Sequence, residues 1–99
     1  MAYVRNINNL RLLTSTIIID QLKTLGVTLT GASTINKITT ISCSTGSRIY
    51  YIRFEISGRG SMVYDVKEFP PSSSTNNKSM INRIKRIMKA FHGTMSNSI

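Results

Sequence analysis

Acidic side chains are scarce in this chain. Asp20, Glu55, Asp65 and Glu68 stand alone against thirteen Lys and Arg, a formal net charge of +9 over 99 residues. A positive field of that size on a small domain favours nucleic acid or anionic surfaces as partners. Scarcity of carboxylates has a second consequence. Acid unfolding works mainly by protonating carboxylates that are paired or hydrogen-bonded in the native state, so tolerance of low pH is expected. Asp65 and Glu68 are three apart on a predicted strand and face opposite sides, which argues against an acid/base pair.

Other absences narrow the field further. One cysteine, Cys43, excludes an internal disulfide and a cysteine-based metal cluster. It lies in a predicted strand and reads as a small buried apolar group rather than a nucleophile. The one histidine, His92, falls near the end of the last predicted helix, where a cation meets the helix dipole favourably. Walker, HExxH and GxSxG motifs are missing, and "SGRGS" lacks the strand–loop–helix context of a phosphate loop. The chain therefore reads as no enzyme, with no cofactor and no metal. The longest aliphatic run is Ile17-Ile18-Ile19, far short of the ~20 apolar residues a membrane span needs. The first residues, broken by Asn6, Asn8, Asn9 and Thr14-Ser15-Thr16, do not read as a secretory signal. An intracellular, unsecreted product is expected.

What is present gives an α+β pattern. Ninety-nine residues with 40% hydrophobic side chains suffice for one domain with one modest core. Ile7, Leu10, Leu13 and Ile17 have helical spacing, so one long N-terminal helix is open. The reading adopted starts the helix near Thr14 or Ser15, with a hydroxyl cap, Ile18, Leu22 and Leu25 buried, and Gly26 as the left-handed terminator. Val27–Thr30 reads as a short strand closed by Gly31, and "NKITTISCS" (36–44) as a longer one ended by the turn "TGS". "RIYYIRFEIS" (48–57) puts Tyr50, Ile52, Phe54 and Ile56 on one face and Tyr51, Arg53 and Glu55 on the other, the alternation of a half-buried antiparallel strand. "GRGS" turns the chain into "MVYDVKEF", which aligns Met62, Tyr64 and Val66. Pro70-Pro71 ends the sheet, residues 70–78 form a polar connector, and residues 94–99 a flexible tail.

"SMINRIKRIMKAFHG" (79–93) is the clearest candidate site. Met80, Ile81, Ile84, Ile87, Met88 and Phe91 share one arc, and Asn82, Arg83, Lys85, Arg86 and Lys89 much of the other. Ser79 or Asn77 caps this helix and Gly93 ends it. A solvated helix normally mixes signs to gain i,i+4 pairs, and this one has no acid. The basic arc therefore reads as a face for nucleic-acid phosphates, without sequence readout, formed by Lys78, Arg83, Lys85, Arg86 and Lys89. Arg53 and Arg59 add to it from the sheet and its turn, where Arg48 and Lys67 also lie and Tyr51 is placed to stack. A membrane-surface role fits less well, because tryptophan is absent and the apolar arc is needed by the core. A structural or protein-interaction role is the alternative, and its mark is an exposed apolar patch.

The expected architecture is an antiparallel meander of three to four strands covered by an N-terminal and a C-terminal helix, with sheet edges that invite a homodimer. Its length, its Ile-, Asn-, Ser- and Thr-rich composition, "RIYYIRFEIS" and "SMINRIKRIMKAF" resemble the small proteins of the lipothrixviruses, filamentous viruses of acidothermophilic archaea. The resemblance implies an acid- and heat-stable α+β viral protein of no assigned activity, made in the host cell and open to viral or host protein partners. Eight asparagines depart from it, since deamidation-prone residues are fewer in proteins from hot habitats.

Overall fold

In the computed structural model, residues 6–58, 61–71 and 79–91 are described. The chain runs through α1 (Ile7–Thr24), β1 (Thr28–Ile35), β2 (Ile38–Thr45), β3 (Arg48–Ile56), β4 (Met62–Phe69) and α2 (Met80–Lys89). The four strands form one antiparallel sheet in the order β1-β2-β3-β4, each paired with its neighbour in sequence.

α1 begins at Ile7, about two turns earlier than the sequence reading placed it. The Asn6 side chain accepts the Asn9 N–H at 3.1 Å, so asparagine and not Ser or Thr supplies the cap. Asn8 and Asn9 sit exposed in the first turn and do not interrupt the helix. Leu10, Thr14, Ile18 and Leu22 form the buried stripe; Leu25 is only half-buried. Gly26 takes φ +82° and its N–H reaches the Lys23 carbonyl at 3.1 Å, the left-handed termination expected of it.

The sheet has four full strands. Gly31 does not close β1; the strand continues to Ile35, and the pairing slips by one residue between Leu29 and Gly31, a bulge at Thr30. Asn36 and Lys37 belong to no strand. They form the two-residue turn into β2, both at positive φ (52° and 69°), as a hairpin twisted with its strands requires. Gly46-Ser47 turns β2 into β3, with Gly46 at φ +53°. The alternation expected for β3 is observed: Tyr50, Ile52, Phe54 and Ile56 are buried, and Tyr51, Arg53 and Glu55 are exposed.

The core lies on one side of the sheet. Ile41, Cys43, Tyr50, Ile52, Phe54, Ile56, Met62 and Val66 meet Leu10, Ile18 and Leu22 of α1 and Ile84 and Met88 of α2. α2 is shorter than the expected 79–93 and ends at Lys89. Ser79 occupies its cap position, but its hydroxyl makes no cap bond and is buried without a partner among the described residues. Asn77, His92, Gly93 and most of the connector and tail segments lie outside the described residues.

Two interior groups yield measurable consequences. The Thr14 hydroxyl is buried with no hydrogen-bond partner among the described residues, and such a group costs about 1–3 kcal/mol. Thr14→Val keeps the shape and removes the orphan, so denaturant unfolding should show a gain of about 1 kcal/mol; a loss would mean the hydroxyl is satisfied in solution. Burial pushes the Cys43 thiol up to about 11. Because the folded state holds this proton more tightly, the associated stability is complete below about pH 8.5, the ordinary thiol value, and fades as pH rises toward 11. Cys43 should resist a thiol reagent at pH 8 in the native protein and react fully in denaturant.

Candidate nucleic-acid interface

The basic arc of α2 forms because its sequence separates two chemistries at helical period. Ile84 and Met88 are buried, and Met80, Ile81, Ile87 and Phe91 are packed against the core as partly buried neighbours. Asn82, Lys85, Arg86 and Lys89, spaced i, i+3, i+4 and i+7, share the other side. With Tyr64, half-buried on β4, these four line an open cleft of about 400 Å³. Among the described residues, no acidic side chain lines it. Arg83, Lys85, Arg86 and Lys89 are all exposed, and Arg83 is outside the cleft. Arg86 and Lys89 stand in the last turn, where the carbonyl end of the helix favours cations.

The other expected residues divide. Arg53 donates to the Asp65 carboxylate at 2.9 Å across β3 and β4, so its charge is already matched on the sheet. It is not brought to the α2 cleft. Arg48 donates to the Pro70 carbonyl at 2.8 Å and stands 3.6 Å from Glu68, whose side chain is nearly buried. Arg59 and Lys78 lie outside the described residues. Asp65 and Glu68 do face opposite sides of β4, the former exposed and the latter turned toward the helices. Burial raises the Tyr50 phenol above its ordinary range, and the neighbouring Glu68 carboxylate adds to that.

The sheet side away from the helices carries a second group of residues. Strand register arranges it in four rows: Thr28, Ser44, Ile49 and Phe69; Gly31, Ser42, Tyr51 and Lys67; Ser33, Thr40, Arg53 and Asp65; Ile35, Ile38, Glu55 and Val63. Among the described residues no element covers this side. The Tyr51 and Phe69 rings meet edge to face, with centroids 5.7 Å apart at 72°. The sequence pattern alone marks neither Tyr64 as part of the cleft nor Phe69 as the neighbour of Tyr51. Finding Phe69 requires the β3–β4 register, since Tyr51 and Phe69 are diagonal neighbours on paired strands.

Among the described residues, no group of three or more His, Cys, Asp and Glu is placed to hold a metal ion, and no helix is long and apolar enough to cross a membrane. No family model, curated protein or solved structure matches the chain.

Proposed function

We propose that the protein is a non-catalytic binding module whose α2 face contacts nucleic-acid phosphates without reading sequence. The observation behind this reading is the α2 cleft, in which Lys85, Arg86 and Lys89 converge with Asn82 and Tyr64 and with no carboxylate. Phosphate oxygens accept from ammonium groups, which Lys85 and Lys89 supply here beside the exposed Arg86. Each phosphate neutralised releases counterions, so affinity depends steeply on salt. The test is a titration of random duplex and single strand over a salt series. Wild type should lose affinity with a log–log slope of roughly −0.9 per phosphate contacted. Arg83, Lys85, Arg86 and Lys89 replaced together by Gln should bind more weakly and with a shallower slope. Wild type that binds neither nucleic acid at low salt would end this reading.

A second reading, self-association in a structural or interaction role, is favoured by a separate observation. β1 is a sheet edge, exposed along almost its whole length, and residues 24–36 carry no charged side chain and no proline. β4, the opposite edge, bears Asp65, Lys67 and Glu68 and is followed by Pro70-Pro71, the usual safeguards against strand addition. Beside β1 lies a cleft of about 430 Å³ between Leu12 and Ile19 of α1 and Ala32 and Thr34 of β1. Leu12 is 68% exposed, with Leu13 and Ile17 exposed next to it. Two copies carrying +9 each meet with least repulsion along this neutral edge, antiparallel β1 to β1, with the α1 leucines flanking the joint. Sedimentation velocity should show a dimer that Leu12→Lys with Ala32→Lys converts to a monomer. Wild type that stays monomeric at high concentration removes the reading.

A further inference from the structure

The open side of the sheet differs from end to end in its chemistry. One end holds Ile35, Ile38, Val63 and Glu55, and the Arg53–Asp65 ion pair crosses the middle. The other end holds Tyr51, Phe69, Ile49 and Lys67 with Gly31, Ser42 and Ser44, and its two rows contain no carboxylate. Tyr51 is 38% exposed and Phe69 46%. Small neighbours keep this end low: Gly31 and Ser42 flank Tyr51 on the β1 side, so the surface beside the ring is flat. An edge-to-face pair leaves ring surface available, because one ring presents only its edge to its partner. Lys67 pairs directly with Tyr51 across β3 and β4, so a cationic side chain rises from the same row.

We infer that this end of the sheet is a base-stacking platform for single-stranded nucleic acid, with Tyr51 and Phe69 as the stacking rings and Lys67 as a phosphate contact. The inference rests on the nucleic-acid reading of the α2 face and names the form of nucleic acid bound. In a duplex the base faces are occupied by their neighbours and cannot lie on a protein ring; in a single strand they can, whatever the sequence. The two surfaces belong to one path. β4 alone lies between them, with Tyr64 on its helix side in the α2 cleft and Lys67 and Phe69 on its open side. A strand whose backbone lies along Lys85, Arg86 and Lys89 reaches the rings by crossing the β4 edge. Charge selects the occupant: a phosphodiester matches a cationic, carboxylate-free aromatic surface on a +9 protein.

The experiment compares a random single strand, an abasic strand of equal length and a duplex, at one low salt concentration. Tyr51→Leu with Phe69→Leu should weaken the base-bearing strand by about tenfold or more, while leaving the abasic strand and the duplex unchanged. Circular dichroism confirms that this variant is folded. A second variant keeps the test alive if it is not. The chain has no tryptophan, so Tyr51→Trp creates a single indole reporter on the platform, whose emission should be quenched by the single strand and not by the duplex. Equal single-strand affinity in wild type and double Leu variant, or no quenching of the indole on binding, overturns the platform and leaves the α2 reading standing. Loss in the Leu variant with no loss in the α2 glutamine variant keeps the platform and overturns the α2 reading. Wild type that binds none of the three nucleic acids overturns both, and the exposed rings then belong to a protein partner.

Discussion

A pleated sheet presents alternate side chains to opposite sides, and the two helices among the described residues both lie on one of them. Everything else follows from that mismatch. Ile41, Cys43, Tyr50, Ile52, Phe54, Ile56, Met62 and Val66 are sealed by α1 and α2, each large apolar side chain contributing about 1.5–3 kcal/mol when fully buried. Their neighbours in sequence cannot join that core without reversing every strand. They form a wide surface of mixed character on the other side, whose residues are chosen for something other than burial.

The charges follow the same division of labour. α2 must seal β4 with Ile84 and Met88, which leaves its other arc for Asn82, Arg83, Lys85, Arg86 and Lys89. Two of the four carboxylates, Asp65 and Glu68, lie beside sheet arginines and temper the cationic field there. None lies in α2, so positive charge accumulates on that helix, while β4 sets Asp65 and Glu68 against Lys67 and residues 24–36, through β1, carry no charge. The cationic helix thus packs on one edge strand, β4, and the uncharged strand β1 forms the other edge of the sheet.

Much of this was legible in the sequence, and the residues that were not share a cause. β3 declares itself because Tyr50, Ile52, Phe54 and Ile56 alternate strictly with polar or exposed partners. The cationic arc of α2 declares itself because a 3.6-residue period separates isoleucine from lysine and arginine. The start of α1 is hidden because asparagines look like helix breakers, yet Asn6 is used as a cap and Asn8 and Asn9 merely face solvent. The β1–β2 turn is hidden because Lys37 is not a residue whose type announces positive φ. Gly31 suggests an end where the strand only bulges. The Tyr51–Phe69 pair and the place of Tyr64 in the α2 cleft depend on strand register and helix placement, which emerge only when separate segments are assembled.

Strand order also sets the order in which the chain can be assembled and taken apart. Every strand pairs with its neighbour across a short turn, so the meander closes only small loops and forms from local contacts. α2 packs against β4 and α1, and its contact with α1 joins segments separated by the whole sheet. That contact carries the largest loop-closure entropy in the fold and adds no strand pairing. Detaching α2 therefore breaks no rung of the sheet ladder; what it costs is the uncovering of Ile84 and Met88 and of the side of β4 that they seal.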